Sequence, residues 1–253
     1  LSCLEASKEL PLILSLDTSS KVTSIALSRG DEIIESYASN LDERRSERLW
    51  AEIGHMLDKA GVSINEIRLF AVCLGPGGFT GLRVGLAAAK AFAMATGRPM
   101  VGVTSLEASA LGPGAGLRVY SMVNAYKGEV YCQLFEIDSE GFPAPAGKAE
   151  ALKVEQAVER VAKISPLVFT GDAVDAAREL IEKYRECGLD WSIEKLDAPL
   201  AVKVSRIASN RFKRGQLDSP EGLGACYIRP AEAEIKLSQG LLGSKIQRNI
   251  RSK

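Results

Sequence analysis

The stretch LILSLDTSSKVTSIALS, residues 12–28, decides the fold. LILSL is a short apolar run with the length of a buried strand. Asp17-Thr18-Ser19-Ser20 is turn chemistry, because short polar side chains bond their own backbone. VTSIALS then alternates apolar and polar, the period of a second strand. Arg29-Gly30-Asp31 turns the chain again into EIIESYA. Three strands joined by such short turns are antiparallel neighbours. The same layout returns at 118–138, RVYSMVNAYKGEVYCQLFEID, with Asn124 where the first copy has Asp17. A layout that returns at half the chain length predicts two similar lobes.

The segments around the two copies agree with this. A helix near 43–59 places Leu49, Ile53, Met56, Leu57 and Ala60 at helical spacing, with Gly61 as its stop. RLFAVCL reads as a strand, and a second helix follows to about Ala95. Gly97-Arg98-Pro99 ends that helix, and MVGV is another strand, so the first half runs βββαβαβ. LGPGAGL at 111–117 is the linker. In the second half a helix (152–163) precedes LVFTGDA (167–173), followed by a helix (173–186), a short strand (192–196) and a helix (200–214). The expected lobes are 11–110 and 111–236, with helix 200–214 packing back on the first lobe. Residues 1–10 and 237–253 are expected to be mobile tails.

Composition narrows the function. The 32 Lys and Arg equal the 32 Asp and Glu, so any contact with nucleic acid or membrane has to be local. The five cysteines are odd in number, scattered and without C-x-x-C, which speaks against a disulfide framework or zinc knuckle and points to a reducing cytoplasm. No apolar run reaches the roughly 20 residues of a membrane span, and the acidic start LSCLEASKEL is not read as a secretory signal. His55 is the sole histidine, so no His pair can bind a metal and no credible Ser-His-Asp set exists. It reads as a partly exposed helical residue.

LGPGGFTGLRVG, residues 74–85, has the look of a phosphate loop but matches neither spacing tested. The Walker pattern is absent. The dinucleotide pattern finds Gly75 and Gly77 but then Thr80. What remains is the general capacity of a helix N-terminus for an anion. The helix itself, LRVGLAAAKAFAMA, holds only Arg83 and Lys90 as charges. Gly81, Gly85, Ala89 and Ala93 fall every fourth residue, a face that lets another backbone approach. A helix this apolar must be covered on more than one side. Three covers are open: the chain's own lobe, a partner, or a nucleotide.

LSLDTSS (14–20), LGPGGFTGLRVG (74–85), GVTSLEA (102–108), KGEVYCQLF (127–135) and YIRPAEAE (227–234) resemble the bacterial TsaB (YeaZ) family in order and content. The resemblance implies a two-lobed actin/hexokinase/Hsp70-like (ASKHA) α/β fold, built from duplicated RNase H-like βββαβα lobes. It implies a part in making threonylcarbamoyladenosine beside the anticodon of tRNAs that read codons starting with A. In that system the catalytic subunit is a paralogue, TsaD, whose metal sits on His-x-x-x-His. The matching segment here is Ser105-Leu106-Glu107-Ala108-Ser109, so the spacing is kept and both ligands are missing. Neutral hydroxyls are poor transition-metal ligands. The resemblance therefore implies a non-catalytic subunit, with no catalytic residue, no metal and no cofactor of its own. Its partners would be TsaD, the ATPase TsaE through the complex, and tRNA indirectly, with a homodimer as the form without partners and no membrane contact.

The resemblance also implies that the helices at 43–60 and 81–95 form the pairing surface. Its candidates are Leu49, Trp50, Ile53, Gly78, Gly81, Arg83, Gly85 and Ala89, and Gly85→Leu is expected to break pairing. Arg45 stands where the family tends to carry a His before Ser46. The alternative is an ATP-binding enzyme transferring a phosphoryl or carbamoyl group, with weak ATP or ADP binding on Asp17, Thr18, Gly75, Gly77 and Asp172. Against it, Asp17-Thr18 is ordinary turn chemistry and Asp172 an ordinary N-cap for the helix at 173. Lys245, Arg248, Arg251 and Lys253 give the tail charge for tRNA phosphates, or a solvated face.

Overall fold

β1 (Leu12–Asp17) is buried along its whole length. It is the central strand of a sheet covered on both faces. The two-residue period of a strand sends Leu12, Leu14 and Leu16 to one face, with Leu49, Ile53 and Ala89, and Ile13 to the other, with Val204 and Ile207. The computed structural model describes residues 10–40 and 45–229. The expectations for 1–9, the helix start at 43–44 and the tail 237–253 lie outside them.

β2 (Val22–Arg29), β3 (Glu32–Asn40), β4 (Leu69–Cys73) and β5 (Met100–Val103) complete the first sheet, in the order β3-β2-β1-β4-β5. β1 pairs antiparallel with β2 and parallel with β4, and β4 pairs parallel with β5. The second sheet repeats the plan. β6 (Arg118–Asn124) pairs antiparallel with β7 (Glu129–Ile137) and parallel with β10 (Leu167–Thr170), which pairs parallel with β11 (Trp191–Ile193). Two short strands, β8 (Pro143–Pro145) and β9 (Glu150–Lys153), both pair with β7 and together take the place of β3. The sequence reading missed both, because neither PAP nor EALK alternates. β9 also shortens the helix expected at 152–163, and the strand expected at 192–196 lies at 191–193. The result is the duplicated two-lobed α/β fold that the resemblance implies.

α1 (Arg45–Ala60) and α2 (Phe79–Thr96) cover the outer face of the first sheet. α4 (Val154–Arg160) and α5 (Val174–Glu186) cover the outer face of the second. α3 (Ser105–Ala110) and α6 (Leu200–Lys213) lie between the sheets, each against the sheet of the other half. Leu106 and Ala110 of α3 pack with Val119, Phe135 and Ile137. Val204, Ile207 and Ala208 of α6 pack with Ile13, Leu69 and Val101.

Polar bonds fasten these exchanged helices. Ala201 N donates to Ser24 Oγ at 3.1 Å, and the hydroxyls of Ser28 and Ser205 meet at 2.6 Å. Arg211 pairs with Glu107 at 2.6 Å. Buried Lys203 donates to Leu111 O at 2.6 Å and pairs with Asp197 at 2.7 Å, tying together the two places where the chain crosses between sheets. Among the described residues no helix is long and apolar enough to cross a membrane.

Candidate functional site

The glycine stretch closes on its own chain. Gly78 N donates to Ser19 O at 2.6 Å. A Cβ on Gly77 would stand 2.3 Å from that same oxygen, so only glycine fits there. One turn into α2, Thr18 Oγ1 donates to Gly81 O at 2.7 Å. A Cβ on Gly85 would meet Thr18 Oγ1 at 2.3 Å. The small residues thus let the β1–β2 loop lie against the helix.

Within the chain, most of the expected pairing residues are turned inward. Gly81, Gly85 and Ala89 are buried against their own lobe, and Leu49 and Ile53 sit in its core. Their spacing marks an inward face. Gly78 is half-buried, with its Cβ position 3.7 Å from Tyr126 Oη. Trp50 and Arg83 are exposed as required. The outward side of α2 is a different stripe: Arg83, Ala87, Ala91 and Met94. Beside it α1 exposes Trp50, Ala51 and Gly54, and the Trp50 ring lies 5.0 Å from that of Phe92.

A cavity of about 420 Å³ lies between the lobes. Asp17 and Lys21 from the first lobe and Asn124, Tyr126 and Asp172 from the second line it, with Leu200 of α6. The repeat brings Asp17 and Asn124 to matching strand ends, as expected. Thr18, Gly75 and Gly77 are not among the residues that line the cavity. Asp17 Oδ1 accepts from Ser19 N at 2.9 Å and Ser19 Oγ at 2.6 Å, while Oδ2 has no partner. Asp172 Oδ1 accepts from Asn124 N at 2.8 Å rather than capping α5.

Four of the backbone N–H groups in these loops are already bonded within the chain. A phosphate cradle needs unspent N–H groups. Here those of Ser19 and Asn124 are held by Asp17 and Asp172, that of Tyr126 by Asn124 Oδ1 at 2.7 Å, and that of Gly78 by Ser19 O.

Burial raises the pKa of Asp17 above the ordinary aspartate value, the Ser19 bonds oppose this, and the charge of Asp172 adds to it. Burial raises Asp172 as well. For an acid so shifted, the folded state holds the proton more tightly than the unfolded one. Stability contributed by this group is then present below the unfolded pKa and is lost as pH rises through the folded pKa. Asp17→Asn is expected to gain stability relative to the unmodified protein as pH goes from acid to neutral. Urea unfolding of both proteins along a pH series measures this. A difference that does not move with pH contradicts it.

The two serines of the expected metal face are buried on α3. Ser105 Oγ donates to Pro76 O at 2.6 Å, and Ser109 O accepts from Thr170 Oγ1 at 3.1 Å. Among the described residues no group of three or more His, Cys, Asp or Glu could hold a metal ion. His55 is exposed on α1. Cys73 is buried, and burial first, then the charge of Asp17, pushes its thiol pKa well up, which keeps it un-ionised.

One grouping escaped the sequence reading. Phe79 and Tyr227 bring their rings to 5.2 Å, and the Arg83 guanidinium lies 3.8 Å over the Phe79 ring. Phe79 and Arg83 are four apart on a helix and could have been paired from sequence. Nothing in the sequence pointed Tyr227 at them.

The family model described as TsaD, tRNA N6-adenosine threonylcarbamoyltransferase, matches residues 33–211. The tRNA threonylcarbamoyladenosine biosynthesis protein TsaB of Escherichia coli K12 is 28% identical over 229 residues, covering 89% of this chain and 97% of that protein. Its namesake in Bacillus subtilis 168 is 26% identical over 225 residues, covering 88% and 96%. Among solved structures, an uncharacterized Pseudomonas aeruginosa protein with similarity to peptidase YEAZ superposes with a TM-score of 0.70 at 25% identity, over 87% of this chain and 100% of that one.

Proposed function

We infer the role of this chain from its kinship, since it belongs to the TsaB (YeaZ) family of tRNA threonylcarbamoyladenosine biosynthesis proteins, within the wider family of the TsaD model. We propose that it is the non-catalytic activator of the threonylcarbamoyl-transferring complex. It pairs with the metal-bearing TsaD paralogue in the cytoplasm, and the pair recruits the TsaE ATPase. The histidines that would hold the metal in the paralogue correspond to Ser105 and Ser109 here. Ser105 is instead a structural residue, since its hydroxyl fastens α3 to the glycine loop.

The observation that carries this reading is the outward side of α2. Ala87, Ala91 and Met94 face water on a helix whose other side is already packed on its own sheet. Exposed Trp50 stands beside them on α1. Small side chains flanked by a large aromatic and a methionine suit the close approach of a second helix pair. A second copy of the chain could use the same face when the paralogue is absent. Pairing would act by shifting the paralogue toward its active arrangement, through contacts that only that arrangement makes. Sedimentation of this chain mixed with the paralogue tests the reading: a one-to-one complex supports it, and two separate species overturn it.

A further inference from the structure

Four side chains from three parts of the chain gather around the start of α2, and one of them, Tyr126, lines the cleft. Phe79 and Arg83 come from α2, Tyr126 from the β6–β7 turn, and Tyr227 from the segment after α6. The three rings are exposed to 36%, 45% and 46% for Phe79, Tyr126 and Tyr227. Rings of this size are ordinarily driven out of water, so three in one place mark a contact surface. Their arrangement is fixed rather than loose. Arg83 Nε donates to Tyr227 Oη at 3.2 Å with its guanidinium flat over Phe79. Tyr126 Oη lies 3.7 Å from the Cβ position of Gly78, the residue that caps α2.

The turn that carries Tyr126 is strained. Tyr126 and Lys127 have φ of 60° and 56°, the left-handed region that bulky side chains avoid. Such conformations are costly and persist where the surrounding structure holds them, often at a site. Here the turn places a tyrosine where asparagine or glycine would fold more readily.

The charge around the rings selects the partner. Arg83 has no carboxylate partner among the described residues; its contacts are the Phe79 ring and the Tyr227 hydroxyl. The chain leaves the patch at Arg229, which pairs with Glu129. The sequence that follows holds Glu232 and Glu234 and then Lys236, Lys245, Arg248, Arg251 and Lys253. Exposed aromatic rings around an arginine without a carboxylate fit unpaired nucleotides: bases stack on rings and a phosphate meets the cation. Tyrosine and arginine also serve protein interfaces, and the pairing readout below separates that case.

We propose that Phe79, Arg83, Tyr126 and Tyr227 form a surface for single-stranded RNA that stacks an unpaired base of the tRNA being modified. This rests on the reading of the chain as a subunit of the tRNA-modifying complex and adds a direct RNA contact to it. The test uses the full chain, alone and paired with the paralogue. The probe is a fluorescent anticodon stem–loop of a tRNA that reads codons beginning with A. Anisotropy titrations compare the unmodified protein, a Tyr126→Asn/Tyr227→Leu variant and a Tyr126→Phe/Tyr227→Phe variant. Asparagine tolerates the left-handed turn, so the first variant removes rings without adding strain. Its RNA affinity is expected to fall about tenfold or more, as loss of a stacked base requires. The phenylalanine variant is expected to retain most of the affinity, and both are expected to pair normally with the paralogue.

RNA affinity unchanged by removing the rings overturns the proposal, as does an unmodified protein that binds no probe in either form. If the ring-free variant loses pairing while RNA binding holds, the patch is a protein contact and the proposal also falls. These failures leave the activator reading standing, because that reading fails only if pairing itself is absent or modification proceeds without this chain.

Discussion

Gly85→Leu is expected to unfold the first lobe, not merely to separate it from a partner. A Cβ at this position meets Thr18 Oγ1 at 2.3 Å, and Thr18 is held there by its bond to Gly81 O. Leucine adds three further carbons to a site with no room for the first. Overpacking a core costs about 1–3 kcal/mol where neighbours can yield. Here the neighbour is the tight loop after the central strand, so a loss at the upper end or beyond is expected. Gly85→Ala is the sharper form of the test. In an exposed helix the change from glycine to alanine gains about 1 kcal/mol. A loss at Gly85 therefore reports the contact with Thr18. In urea unfolding, adding Thr18→Ala to Gly85→Ala should recover part of that loss, a coupling of about 1 kcal/mol or more. Independent, additive effects would contradict the packing described.

Ala91→Arg is expected to do the opposite. Ala91 is exposed on the outer side of α2, and arginine is a good helix former. The folded chain should keep its stability within about 0.5 kcal/mol, as surface changes usually do. Pairing with the paralogue should weaken about 30-fold or more, because a long cation would be forced between closely packed helices. Modification of tRNA should fall with it. Sedimentation with the paralogue, alongside unfolding of the chain by itself, separates the two effects. Normal pairing by Ala91→Arg would move the interface off α2.

These two variants mark where the sequence could be read and where it could not. The strand–turn–strand layout of 12–28 and its return at 118–138 carried the antiparallel pairing of β1 with β2 and of β6 with β7, because short turns and alternation are local signals. β8 and β9 were missed because they are extended by pairing with β7, not by their own pattern. The four-residue spacing of Gly81, Gly85, Ala89 and Ala93 correctly located a close approach on α2. Spacing cannot say which backbone approaches, and here it is the chain's own β1–β2 loop. The inward turn of Leu49 and Ile53 follows the same logic: a helical stripe of large apolar residues is first the lobe's own core. At the cleft, Asp17 and Asp172 line the same cavity. Gly75 and Gly77 do not line that cavity, and Gly78 spends its N–H on Ser19 O, which sequence alone does not reveal.

The most direct test of the activator role is an omission experiment. This chain, the TsaD paralogue, the TsaE ATPase and the enzyme that forms threonylcarbamoyl-adenylate are combined with threonine, bicarbonate, ATP and unmodified tRNA. Modified nucleoside is then counted with each protein left out in turn. Leaving out this chain is expected to abolish modification, and this chain without the paralogue is expected to produce none. Modification that continues undiminished without it, or that it carries out without the paralogue, would contradict the account.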